Sequence, residues 1–359
     1  MKGVILAGGK GTRLRPLTYT GAKQLVPVAN KPVLFYALED LVEAGITDIA
    51  IVVPADLPMA RDQIMAAVGD GSRFGARVTY IDQDAPRGIA HGVSICRDFV
   101  GDDKFVVFLG DNFIREGIKR QVEEFRNGSM NAILLLHRVP NPQDLGVAVV
   151  ENGRVVELQE KPKVPKSDLG IVGIYLLDHH FFIAAERLRP SARGELEITD
   201  ALSALIEMGL DVRPELVEGY WIDTGKHIDM LDANRLVLDT IETRVEGEAD
   251  EQSQIVGRVV LEKGAKLVRS TVRGPAIIGT NALIVDTFIG PFTSVGDGCR
   301  IVASELEHSI VLENSVIEHV GTRIEGSLIG RNVVLRRSDG KPKAHRLLLG
   351  DNSHVELAP

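Results

Sequence analysis

A chain of 359 residues, 44% hydrophobic and 25% charged, is long enough to form more than one core and too apolar to be a disordered polymer. Its net charge of −9 excludes non-specific nucleic-acid binding, which needs a basic surface, but leaves room for local sites that take small anions. Only two cysteines occur, Cys96 and Cys299, far apart in sequence, so no disulfide framework is expected. The opening MKGVILAGG is too short for a secretory segment, and no run approaches the roughly 20 apolar residues that span a bilayer. A cytoplasmic protein with no membrane or nucleic-acid partner is expected.

In chain order, residues 3–6 form the first predicted strand, 33–44 an amphipathic helix and 49–53 the next strand. Further strands are expected at 78–81, 105–109, 132–137 and 171–176, with a hairpin-like segment over 146–154. Short β-branched runs alternating with longer amphipathic ones imply βαβ units and a parallel sheet with helices on both faces, within a first domain of residues 1–238. Residues 105–109 are apolar at every position, which suits a central strand covered on both sides, with a loop immediately after it. Residues 239–251 hold six acidic side chains and one basic one, a change of composition that marks a linker over 239–254. From 255 to 359, aliphatic residues recur every sixth position at Val272, Ile278 and Ile284, then after a one-residue slip at Ile289, Val295 and Ile301. That hexad pattern, with corners at Gly274-Pro275, Gly290-Pro291 and Asp297-Gly298, predicts a parallel β-helix. Its broad faces make a homo-oligomer the expected state.

Lys2, Lys10, Arg13, Arg15, Lys23 and Lys31 all precede the first acidic residue, Glu39, so one end of an acidic chain is locally cationic and would attract polyanions. Gly8, Gly9 and Gly11 follow the first strand, where a parallel sheet places its ligand crevice and where glycine lets backbone N–H groups approach phosphate. A Walker A loop would need glycine at position 4, where Val4 stands, and Ser or Thr after Lys10, where Gly11 stands. The dinucleotide fingerprint fails too, because Leu14 occupies the place of its third glycine. What remains is GGxGTRLxPxT, with Lys23 ten residues after Arg13 in KQLVPVANKP. Asp111, just past the all-apolar strand, and Asp223, in WIDTG, would each alone serve as an ordinary turn aspartate.

This opening run resembles the signature of the sugar-phosphate nucleotidylyltransferases, and KQL-x-PV is similar in particular to the glucose-1-phosphate thymidylyltransferases of the long form. The resemblance covers essentially the whole chain. It implies a Rossmann-like mixed α/β sheet followed by a left-handed β-helix. It also implies a nucleotide site of Leu6, Gly8, Gly9, Gly11, Thr12 and Arg13, with Arg13 and Lys23 on the phosphates. Gln83, Pro86 and Gly88, in DQDAPRG, would read the base. Asp111 and Asp223 would hold Mg²⁺. Asn112, Gly146, Glu160, Lys161, Val172, Tyr175 and Arg193 would bind the sugar phosphate, Lys161 bridging it to the α-phosphate and Arg193, in RGELEITD, reaching the sugar's own phosphate. The implied reaction is in-line attack of glucose 1-phosphate on the α-phosphorus of dTTP, with pyrophosphate leaving and no protein nucleophile. Arg13, Lys23, Lys161, Asp111 and Asp223 would carry it.

An amide such as Gln83 can pair with a pyrimidine edge, but thymine and uracil differ by one methyl, a difference worth about 1–3 kcal/mol, so UTP stays open beside dTTP. Two further readings stay open. The β-helix could carry a second, acyltransferase activity, with His308, His319, His345 or His354 as base. The chain could instead be a non-catalytic regulatory homologue, although Asp111, Asp223, Lys23 and Lys161 are all present. His91 carries no expected role.

Overall fold

The computed structural model describes residues 1–337, 340 and 345–357. The chain folds as two compact units, one made of residues 1–10, 20–25 and 33–223, the other of residues 11–19, 26–32 and 224–359.

A nine-stranded sheet forms the first unit. Lys2–Leu6 lies between Asp48–Pro54 and Phe105–Leu109 and runs parallel to both, and Arg77–Gln83 extends the sheet beyond Asp48–Pro54. Val33–Glu43, Pro58–Val68 and Lys119–Asn127 bury Leu34, Leu38, Ile64 and Phe125 against one face. Ile89–Ser94, His180–Ala185 and Ile198–Glu207 bury Val93, Phe181 and Leu202 against the other. In Phe105–Leu109, Val106 and Phe108 enter the first core while Phe105 and Val107 enter the second, all four fully buried. Side chains alternate faces along a strand, so a strand covered on both faces is apolar at every step.

The sheet departs from the all-parallel arrangement expected of βαβ units alone. Leu169–Leu177 runs antiparallel to Phe105–Leu109 and to Ala132–Arg138, and the hairpin of Gly146–Glu151 with Arg154–Glu160 joins it through Gly170 and Val147. Eight of the nine residues of Leu169–Leu177 are buried, so its composition matches that of a parallel core strand and carries no sign of direction. The result is the mixed Rossmann-like sheet implied by the family resemblance.

In the second unit, strands of two or three residues stack into parallel sheets of six, six and five strands, the left-handed β-helix. Val272 pairs with Ile289, Ile278 with Val295 and Ile284 with Ile301, each pair 17 residues apart. The one-residue slip in the hexads belongs to these 17-residue coils of two six-residue sides and one of five, and later coils depart from that length: Ser294 pairs with Ile310 after 16 residues and Ile310 with Leu328 after 18. A column of hydroxyls lines the coil interior. Ser270 Oγ accepts from Thr287 N at 3.1 Å, Thr287 Oγ1 from Ser304 N at 3.4 Å, and Ser304 Oγ from Val320 N at 3.2 Å. Each hydroxyl thus satisfies a backbone donor of the next coil. His308 and His319 occupy corner positions with φ of 43° and 56°.

The acidic segment expected as a linker contains Arg244–Val245, Glu248–Ala249 and Gln254–Val256, each paired with the coil that follows. Its carboxylates stay on exposed positions, and Glu246 and Glu262 pair with Arg244. The helix His227–Leu238, which the sequence groups with the preceding residues, belongs to the second unit. There the fully buried Asn234 accepts from Ala29 N at 2.8 Å and from Ser294 Oγ at 2.7 Å. Cys96 and Cys299 are unbridged thiols, each buried in a different core. Among the described residues no helix is long and apolar enough to cross a membrane.

Thr287→Val keeps the shape of this side chain but leaves the Ser304 N–H unsatisfied inside the coil, and is expected to destabilise the protein by about 1–3 kcal/mol. Urea unfolding measures it, with Thr287→Ser expected to remain near the parent.

Candidate active site

The strand Phe105–Leu109 ends in a tight turn, and Gly110 N donates to Leu6 O at 2.9 Å. That turn brings Asp111 out at the carboxyl end of the parallel strands, the edge where such sheets bind ligands. Asn112–Ile114 then pairs antiparallel with Trp221–Asp223, setting Asp223 opposite Asn112, 111 positions earlier in the sequence. Lys23, in the 3₁₀ turn Lys23–Leu25, is 8% exposed and reaches both carboxylates: its Nζ donates to Asp111 Oδ2 and lies 3.7 Å from Asp223 Oδ1. Burial alone would raise the Asp111 carboxyl, but the Lys23 ammonium, with a hydrogen bond from Asn112, holds it below the ordinary carboxylate range. Asn112 is fixed in turn by Trp221 Nε1, which donates to its Oδ1 at 2.6 Å. Gly173 leaves the room for this arrangement, since a Cβ there would stand 2.6 Å from Leu109 and 2.9 Å from Asn112. One cation already sits between two convergent carboxylates, so the residues present fit a divalent metal.

A second cluster lies at the open end of the Gly146–Glu151 hairpin, where Glu160 is paired with Gly146. Glu160 accepts from Arg193 Nη2 at 2.9 Å and from Thr199 Oγ1 at 3.2 Å. Burial pushes its carboxyl up, and the nearby Glu197 charge adds to the effect. Arg193 also donates to Glu197 at 2.7 Å and lies 3.5 Å from Glu195, so one guanidinium holds three carboxylates. Lys161 adopts φ of 42°, with its N donating to Leu145 O and its Nζ 3.9 Å from Glu160. The side chains of Val172 and Tyr175, expected at the sugar, are buried in the two cores at 0% and 3% exposure. Val172 is left with main chain alone to offer a ligand. The Tyr175 phenol is pushed up by burial and further by the Glu160 charge, which places it behind that carboxylate.

The third group follows the strand Arg77–Gln83. Gln83 is 8% exposed and its amide lies over Gly8, while Pro86 is exposed. Gly88 has φ of 103°, and a Cβ there would fall 2.4 Å from Leu196 O, so only glycine fits. Leu6, Gly8 and Gly9 belong to the first unit, and Gly11, Thr12 and Arg13 to the second. There Gly11 has φ of 61° and its carbonyl accepts from Leu14 N at 3.0 Å and Thr18 Oγ1 at 2.7 Å, closing the turn Thr12–Leu14. Arg13 is exposed and its charge acts on Asp229 at the start of His227–Leu238.

Sequence reasoning missed four supporting residues: Trp221, Glu197, Thr199 and His91. Glu197 and Thr199 lie in RGELEITD, whose density of charge beside buried positions is a usable signal. Nothing in the sequence around Trp221 or His91 announces a partner.

Residues 2–240 match the nucleotidyl transferase family. A glucose-1-phosphate thymidylyltransferase from Streptomyces antibioticus is 52% identical over 99% of both chains. A low-salt glycan biosynthesis nucleotidyltransferase from Haloferax volcanii is 45% identical over 99% of this chain and 100% of its own. A solved Bacillus anthracis structure named for glucose-1-phosphate thymidylyltransferase, in complex with a sucrose, has a TM-score of 0.63 and 40% identity, covering 68% of this chain and 98% of that one. A match over two thirds of the sequence, together with relatives alike from end to end, establishes that the chain belongs to the nucleotidyl transferase family.

Proposed function

We propose that the chain transfers a thymidylyl group from dTTP to glucose 1-phosphate, releasing pyrophosphate and forming dTDP-glucose. The Lys23 ammonium standing between Asp111 and Asp223 carries this reading: the site holds two convergent carboxyl groups and a cation at the ligand edge of the sheet. Members of this family generally depend on a divalent metal, and Mg²⁺ on Asp111 and Asp223 would neutralise phosphate charge during the transfer. The sugar phosphate oxygen attacks the α-phosphorus, the bond to the β,γ-diphosphate breaks, and pyrophosphate leaves with the electron pair.

The chain's own residues bind and orient. Leu6, Gly8, Gly9, Gly11 and Thr12 bind the nucleotide, the glycines and Thr12 offering backbone donors to the triphosphate, and Arg13 and Lys23 offset its charge. Gln83, with Pro86 and Gly88, meets the base. Lys161 bridges the two reacting phosphates, and Arg193 exchanges a carboxylate for the sugar's phosphate, an exchange that its three acidic partners make available. Glu160 accepts from sugar hydroxyls beside Asn112, Gly146 and the Val172 main chain, with Tyr175 behind it. We place the protein in the cytoplasm as a homo-oligomer.

Asp111→Asn and Asp223→Asn are each expected to lower kcat by roughly 10²–10³ or more with the fold retained, measured as pyrophosphate release with dTTP, glucose 1-phosphate and Mg²⁺ alongside circular dichroism. Near-parental rates in either would remove the metal assignment, and absence of release from every nucleotide and sugar phosphate pair would remove the reaction itself.

Glu160 accepts from sugar hydroxyls through both oxygens, and most strongly, while ionised. Its carboxyl is raised above the ordinary 4.5, so its contribution is present at neutral pH and is lost as pH falls through that raised value. The KM for glucose 1-phosphate in Glu160→Gln, divided by the parent's, should therefore exceed one at neutral pH and approach one on acidification. A ratio independent of pH would show that the charge of Glu160 plays no part in sugar binding.

A further inference from the structure

The two ends of the Gln83 amide have different surroundings. Nε2 lies 3.1 Å from His91 Nδ1. With the amide in this orientation its nitrogen donates and the ring nitrogen accepts, which requires the neutral imidazole tautomer with its proton on Nε2. The Asp84 carboxylate, 3.9 Å from His91 Nε2, favours the proton there, and Arg87 pairs with Asp84. Burial, with the Arg87 charge, holds the imidazole below its usual titration range against the pull of Asp84, so the ring stays a neutral acceptor at neutral pH. At the other end, Gln83 Oε1 has no protein donor among the described residues and lies over Gly8, where a Cβ would stand 2.7 Å from it. The amide is held by its nitrogen and presents its oxygen.

We propose that His91 is a specificity-determining positioning residue, which fixes Gln83 with Oε1 toward the nucleobase and so selects bases carrying an N3–H, thymine and uracil, against cytosine. The proposal rests on the assignment of Gln83 to the base. Thymine and uracil donate from N3, whereas cytosine has a bare acceptor at that atom. A glutamine amide is nearly isosteric end for end, and unrestrained it would turn to offer Nε2 to cytosine. Here the turned amide would set Oε1 against His91 Nδ1, acceptor against acceptor, with a buried hydrogen bond lost. Cytosine is refused because His91 opposes the turn.

The test compares kcat/KM for dTTP and dCTP, with glucose 1-phosphate and Mg²⁺ at neutral pH, in the parent and in four variants. His91→Asn can either accept or donate, and His91→Phe can do neither. Both are expected to lower the dTTP to dCTP ratio by about tenfold, the equivalent of one hydrogen bond. His91→Asp has the shape of the Asn variant but only accepts, and is expected to keep the ratio within about threefold, as one acceptor replaces another. The ratio of dTTP to dUTP should not move in any His91 variant. Unchanged dTTP to dCTP ratios in the Asn and Phe variants would overturn the proposal, as would an Asp variant that loses as much as Asn. Gln83→Ala separates the two levels. If it abolishes discrimination while the His91 variants keep it, the base assignment stands and the role of His91 falls. If it leaves discrimination intact, the base assignment falls and the proposal falls with it.

Discussion

Two carboxylates converging inside a protein repel each other, and either a cation stands between them or one of them takes up a proton. In this chain the Lys23 ammonium stands between Asp111 and Asp223, and much of the first unit serves to keep it there. The turn after Phe105–Leu109 delivers one carboxylate, and a ribbon of two three-residue strands delivers the other. Trp221 secures the asparagine between them, and Gly173 clears its space. Under the function proposed above, a metal ion on the two carboxylates would take over their charge, and Lys23 could turn to a phosphate without leaving an unpaired charge behind.

The sugar-side cluster follows the same logic with the signs exchanged. There one guanidinium, Arg193, is shared by Glu160, Glu195 and Glu197. Three acids for one base leave the pocket short of positive charge, and burial accordingly raises Glu160. A dianionic ligand that takes the guanidinium must be accompanied by more positive charge, and Lys161, adjacent in sequence and held in a left-handed conformation by its bond to Leu145, is placed to supply it. In both clusters the cation is already paired within the protein, so affinity depends on exchange of partners more than on new attraction.

Those parts of the fold that repeat were legible in the sequence. Phe105–Leu109 was readable because burial on both faces forces every position to be apolar, and the β-helix because each coil repeats the last. Direction was not readable in Leu169–Leu177, since a buried strand has the same composition whether it runs parallel or antiparallel. Pairings across long separations were equally hidden. Asn112–Ile114 and Trp221–Asp223 are three residues each, too short to show a period, yet they bring Asp223 beside the strand that follows Asp111. The partnership of Gln83 with His91 rests on one turn of backbone, and no pattern of residue types encodes it.

The coil of the second unit tolerates changes of length that its pairing does not record. Ile278 and Val295 pair across 17 residues, Val295 and Val311 across 16, and Val311 and Ile329 across 18, yet all four remain in one column of inward aliphatics. A residue lost or gained between two strands is therefore absorbed at the corner that joins them, and the next strand regains its register. In this region the strands are the fixed storeys and the corners the adjustable landings, so an evolving chain can change a corner without moving the levels above it.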